Sequence, residues 1–183
     1  MAKLRLLLLG TLVALFGAGV VVAATASFNF NSPMDGSQEV PVPRDTPAMG
    51  NAVYKLNDAG TAIRYKLIVE DITNVIMAHI HAGPRGSNGP IVVWLYPSTT
   101  EDVRADPGGG PIEGVIARGT FTAADLVGPL RDQPLSSLVT LLRNGGAYTN
   151  VHTSDGVAPD NEGPGDFPGG EIRGQINENG PGS

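Results

Sequence analysis

The chain has 183 residues with 12 Lys+Arg, 18 Asp+Glu, three His and no Cys, which excludes disulfide scaffolds, thiolate metal sites and cysteine nucleophiles. A net charge of -6 argues against nonspecific nucleic-acid binding, which needs surplus Lys and Arg to displace phosphate counterions. With 25 Gly and 15 Pro beside 41% hydrophobic residues, the composition predicts a turn-rich, all-β globular protein with a real core.

Residues 1–26 begin with Lys3 and Arg5, run mostly apolar from Leu6 to Ala24, and end in Ala24-Thr25-Ala26, a small-x-small site. This is the make-up of an export signal cleaved before Ser27. The competing reading is an uncleaved anchor, because the apolar run approaches the length of about 20 residues that spans a bilayer. Setting Lys3 and Arg5 aside leaves 10 basic and 18 acidic residues in 27–183, a net charge of -8. That stretch is expected to form one exported domain, periplasmic or extracellular, touching a membrane only through an uncleaved N-terminus.

Strands are predicted at 27–31, 52–56 and 62–69; the last two alternate apolar and polar residues around the turn Asn57-Asp58-Ala59-Gly60, as in a β-hairpin. A second pair, 75–81 and 91–96, flanks the Gly- and Pro-rich loop 82–90. Residues 101–111 read as a surface loop and 114–121 as a strand. Two short helical pieces follow, a capped turn at 122–126 and a helix at 135–143 that stops before Gly145-Gly146. Strands at 147–153 and 171–176 enclose an acidic, Gly- and Pro-rich loop at 154–168. About eight short strands at this spacing predict an antiparallel β-sandwich or barrel.

All three histidines fall in strand-like pieces, His79-Ile80-His81 and Asn150-Val151-His152-Thr153. Strand side chains repeat every two residues, so His79 and His81 share a face, spaced for two imidazoles to converge on one metal ion. His152 from another strand would complete a three-nitrogen set with an open position. Without Cys, the first choices of metal are copper and zinc, and affinity is expected to fall as pH drops through the histidine range near about 6.5. The plain alternative is that the histidines are exposed or hydrogen-bonded structural residues. Met77 shares their face and reads as a core methionine before a soft axial ligand. A Ser154/His152/Asp155 triad is disfavoured, since adjacent strand residues point apart and no nucleophile elbow surrounds a serine. Asp155, Asp160, Asn161, Glu162 and Asp166 lack the alternation of a calcium loop and read as solvated. Gly83-x-x-Gly86-x-x-Gly89 leads into a strand, whereas a phosphate cradle leads into a helix N-terminus.

Gln38-Glu39-Val40-Pro41, His79-Ile80-His81-Ala82-Gly83 with Gly86-x-x-Gly89-Pro90, Tyr148-Thr149-Asn150-Val151-His152-Thr153 and Pro168-Gly169-Gly170-Glu171-Ile172-Arg173-Gly174-Gln175 together resemble the CHRD domain, named after chordin. The resemblance implies an antiparallel β-sandwich of immunoglobulin-like or superoxide-dismutase-like type, and it places His79, His81 and His152 in family motifs. The His-x-His followed by a glycine-rich loop is also similar to the copper ligands of copper/zinc superoxide dismutase, although that enzyme's bridging and zinc-binding histidines and its disulfide are missing. The acidic stretch 154–167 departs from the family pattern and is expected to act as a lid or to add a carboxylate. Glu171 and Arg173 share a face and are expected to support the histidines or pair with each other, with Glu171 as ligand the lesser reading.

Three functions follow as expectations. The first is an exported domain holding one copper or zinc ion through His79, His81 and His152. The second is an envelope module with structural histidines that binds a protein or glycan partner. The third is a copper-dependent oxidoreductase of the dismutase type.

Overall fold

The computed structural model describes residues 29–97 and 109–179. The export signal read at 1–26, the start of the domain at Ser27 and most of the 101–111 loop lie outside the described residues. Nine strands form among them: β1 (Asn29–Asp35), β2 (Met49–Leu56), β3 (Ala62–Thr73), β4 (Val75–Ala82), β5 (Ile91–Tyr96), β6 (Pro111–Thr122), β7 (Ala147–Thr153), β8 (Ile172–Gln175) and β9 (Asn177–Asn179). One α-helix, α1 (Leu135–Arg143), precedes β7. All pairings are antiparallel, in the order β5-β4-β7-β8-β1-β2-β3-β6, with β9 also on β1.

The sheet is folded over at β8/β1, where a single register pair, Asp35 with Arg173, joins its halves. Here the chains press closely: Ser32 Oγ donates to Gly174 O at 2.7 Å, and a Cβ on Gly174 would meet Pro33 O at 2.3 Å, so only glycine fits. The halves β5-β4-β7-β8 and β1-β2-β3-β6 then face each other. Tyr65 Oη donates to Leu95 O at 2.8 Å across the interior, and the Tyr54 and Thr149 hydroxyls bond at 2.8 Å. The result is a nearly closed, sandwich-like antiparallel sheet with few helices, consistent with the all-β expectation at that level.

The predicted alternation holds through the hairpin, where Ala52, Tyr54 and Leu56 of β2 and Ile63, Tyr65, Leu67 and Val69 of β3 are buried. They pack on Ala78, Ile80, Val93, Leu95, Val151 and Ile172 from the other half, each large aliphatic side chain contributing about 1.5–3 kcal/mol by leaving water. The 122–126 turn carries its capping box: Thr122 Oγ1 accepts from Ala124 N, and Asp125 Oδ2 accepts from Thr122 N at 2.8 Å. In α1, Leu135, Leu138, Val139 and Leu142 are buried, and Gly145 at φ +62° turns the chain out of the helix. Several boundaries differ from expectation: β2 starts already at Met49, β3 runs on to Thr73, and β6 starts at Pro111. β1 runs on to Asp35, and the 171–176 strand is divided at Ile176, where the chain leaves β7 and continues as β9 on β1.

β7 breaks the alternation altogether, for all seven of its residues are buried. Its inner face meets the core. Its outer face, with that of β4 and β8, lies beneath the segments 36–48, 83–90 and 154–170, and the polar side chains of the candidate site are held in that second layer.

Candidate metal centre

On β4, Ala78 and Ile80 point into the core, which turns His79 and His81 to the outer face. β7 lies antiparallel beside it, registering Met77 with His152, His79 with Asn150 and His81 with Tyr148. His152 therefore falls diagonally beside His79. The ligating nitrogens of all three histidines lie within 4.8 Å of one another, the only group of three or more such side chains among the described residues. The ring centroids are 5.1 Å apart for His79 and His152, 5.5 Å for His79 and His81, and 6.1 Å for His81 and His152.

The outer hydrogen bonds settle two tautomers, because a carbonyl only accepts. His81 Nδ1 donates to Gly89 O at 2.9 Å and His152 Nδ1 donates to Pro168 O at 2.9 Å, so each neutral ring carries its lone pair on Nε2. His79 Nδ1 sits 3.3 Å from His152 Nε2, about the spacing of two ligands at about 2.0–2.1 Å from one tetrahedral ion. The Nε2 atoms of His79 and His81 are buried without a hydrogen-bond partner. A buried polar atom left unpaired costs about 1–3 kcal/mol; an ion would remove that cost at His81 Nε2, and at His79 Nε2 only where that nitrogen, rather than Nδ1, is the ligand. The donor set thus fits an imidazole-binding metal, the widest pair needing to close by at most about 1.5 Å through ring rotation.

Burial sets the charge. It holds His79 down to about 3, with the neighbouring His152 and His81 adding to the shift, and His152 down to about 4 against the opposing Pro168 hydrogen bond. His81 is lowered as well, chiefly by burial. All three are therefore neutral near pH 7, and the loss of affinity expected around 6.5 moves to lower pH. As pH falls below the ordinary 6.5 the unfolded chain takes up protons first. The histidines' share of stability, complete above that value, is lost as pH drops through the folded values. Glu39 has the opposite sign: burial pushes it up to about 7, so its share is complete below 4.5 and lost as pH rises through about 7. Three groups against one give a net loss toward acid, His79 and His152 carrying most of it. Urea unfolding of metal-free protein at pH values between about 7 and 5 checks this; a midpoint that is constant or rises toward acid contradicts it.

Around the histidines lies a layer of side chains, of which the sequence pointed to Arg173 as a support, while Trp94, Tyr148, Asn150 and Glu39 are added by the structure. Trp94 of β5 meets His79 edge to face at 4.1 Å and leaves 45% of its surface exposed, forming the outer wall. Tyr148 stacks on His81 at 4.9 Å and 7°, while the Arg173 guanidinium lies 3.5 Å over the same tyrosine ring. Asn150 Nδ2 donates to Glu39 Oε1 at 2.8 Å. The spacing Tyr148-x-Asn150-x-His152 was the available signal, since it puts all three on one face of β7. Met77 is only half-buried and lies opposite His152, outside the apolar core to which it was assigned.

The last motif holds the loops. Arg173 donates to Asn88 Oδ1 at 3.0 Å, Ser87 O at 2.8 Å and Pro84 O at 3.3 Å, so the glycine-rich loop presents carbonyls to a cation, the opposite polarity of a phosphate cradle. Gln175 Nε2 donates to Gly83 O, Gly145 O and Ala147 O. Glu171 does not pair with Arg173, and both its oxygens are taken: Oε1 accepts from Thr46 Oγ1, Oε2 from Thr153 Oγ1 and Gly165 N. The acidic loop contributes a backbone carbonyl, that of Pro168, and no carboxylate of the described residues joins the histidine cluster. Asp155, Asp160, Asn161 and Glu162 are exposed, as a solvated loop requires, but Asp166, read as solvated with them, is buried, its Oδ2 accepting from Glu162 N at 3.1 Å as the loop folds back on itself.

The four motifs, separate in sequence, are thus bonded to one another around a single face. Across the same span, residues 30–176 match the CHRD domain family. The chain belongs to the CHRD domain family. No curated protein and no solved structure matches it. In this CHRD domain the His-x-His and Asn-x-His motifs supply the histidine cluster, while the Gly-Gly-Glu-Ile-Arg-Gly-Gln motif fixes the loops over it.

Proposed function

We propose that this CHRD domain binds a single copper or zinc ion through His79, His81 and His152. The observation that carries the reading is the trio itself: three neutral imidazoles whose nitrogens lie within 4.8 Å, two of them with a buried Nε2 that bonds to nothing. Imidazole sets suit both metals, and a bound ion would supply Lewis acidity or, for copper, redox capacity. The chain's own part is to keep the rings deprotonated by burial and to orient His81 and His152 through Gly89 O and Pro168 O. The same reading takes the folded sheet as the immunoglobulin-like or superoxide-dismutase-like sandwich implied by the family, supported by its two facing halves. It places the domain outside the cytoplasm on the export-signal make-up of 1–26.

Protein loaded with copper or zinc and then dialysed should retain one ion per chain by elemental analysis. His81→Ala should weaken retention, and the variant carrying His79→Ala, His81→Ala and His152→Ala should retain none. Unchanged stoichiometry in that triple variant overturns the reading.

A further inference from the structure

The outer face of the other half-sheet has a different character. Lys55 lies directly opposite Arg64 across β2/β3, and Lys66 directly opposite Arg118 across β3/β6. All four are exposed, and they run as a zigzag across three strands, Lys55 on β2, Arg64 and Lys66 about 7 Å apart on β3, and Arg118 on β6, with about 5 Å between directly opposed residues. Residues 27–183 contain two lysines and eight arginines against 18 acids; both lysines and two of the arginines stand here. Like charges placed directly opposite on a sheet are destabilising, so packing gives no reason for this concentration. The cluster lines a groove of about 560 Å³ together with Asn29, Asn179 and Thr120, and among the described residues no carboxylate lines it. An adjoining depression of about 380 Å³ shares Lys55, Arg64 and Thr120 and reaches Asp58 at the hairpin tip.

We propose that this groove binds an acidic polysaccharide, a chain whose carboxylate or sulfate groups meet the four cations while its hydroxyls bond Asn29, Asn179 and Thr120. Charge complementarity selects a polyanion. Two features select a glycan among polyanions. The exposed groove side chains include no aromatic on which nucleic-acid bases would stack. The face is concave, and Val53, 37% exposed, is its one exposed large apolar side chain, whereas membrane docking relies on inserted apolar groups. The inference does not depend on the histidine cluster, which lies on the opposite half of the sheet.

The test uses alginate as a polyuronate, neutral dextran, and vesicles containing phosphatidylglycerol, with the intact protein at low and near-physiological salt. Alginate should bind with affinity that falls steeply with salt, and dextran should not bind. The double variant Lys55→Gln, Lys66→Gln should lose about tenfold or more in affinity and show a shallower salt dependence. Lys66→Arg should bind as the parent does, and so should Arg131→Gln, a charge removed elsewhere. The double variant should also unfold at the same or a higher temperature, because a like-charge opposition has been relieved. His79→Ala should leave alginate binding unchanged, which separates this site from the metal reading. Retention of alginate affinity by the double variant, equal binding of dextran, or binding to vesicles without binding to alginate would each overturn the proposal.

Discussion

Glu171→Ala is expected to lower the unfolding free energy by about 3–5 kcal/mol and to loosen the 154–170 loop. Glu171 is fully buried, and its oxygens join three separate segments. Thr46 belongs to the stretch after β1, Thr153 to the end of β7, and Gly165 to the acidic loop. Alanine leaves the Gly165 N–H with no acceptor inside the protein and opens a cavity where the side chain was. Thr153 Oγ1 also accepts from Phe167 N at 3.0 Å, so the same clamp fixes the backbone leading to Pro168, whose carbonyl orients His152. Stability and metal affinity should therefore fall together. Glu171→Gln keeps one acceptor oxygen and should lie between the parent and the alanine variant. Urea unfolding with hydrogen exchange at 165–170 measures both effects, and unaltered exchange there in Glu171→Ala would refute the clamp.

Gly89→Ala should cost about 3 kcal/mol or more and weaken metal binding about tenfold or more. A Cβ at Gly89 would lie 1.7 Å from Ala82 O, and backbone cannot step aside as a flexible side chain can. The displaced segment carries Gly89 O, which accepts from His81 Nδ1, and Gly89 N, which donates to Tyr148 Oη at 3.2 Å. Both partners belong to the stack that ends under Arg173. Gly86 provides the contrast within the same loop. Its φ of +78° disfavours a side chain, yet a Cβ there meets nothing within 4 Å, so Gly86→Ala should cost only about 1 kcal/mol and spare metal affinity. Thermal or urea unfolding of the two variants, with a metal titration of each, checks the difference; equal effects would show that the close approach at Gly89 is not what matters.

The elements most legible in the sequence were those governed by local rules. Ile91–Tyr96, Ala147–Thr153 and Leu135–Arg143 begin and end where apolar periodicity meets Gly, Pro and Asn, as expected. The sites of difference obey longer-range forces. β1 extends to Asp35 because β2 is there to pair with it, and Ile176 divides a predicted strand because two different neighbours claim its two sides. Met77 looks like a core residue in a hydrophobic count, but its face is set by His79 and His81, and that face is outside the core.

The two-residue period of a strand was enough to put His79 beside His81, and separately Asn150 beside His152, without any knowledge of the fold. That the two pairs meet was decided by the antiparallel register of β4 on β7, made by hydrogen bonds between segments some 70 residues apart in the chain, a distance over which no local pattern reaches. The tertiary structure also decided the chemistry of the trio. Loops anchored by Glu171, Arg173 and Gln175 cover what an alternating strand would have left in water, and this burial makes the imidazoles neutral and leaves two of their nitrogens without a partner.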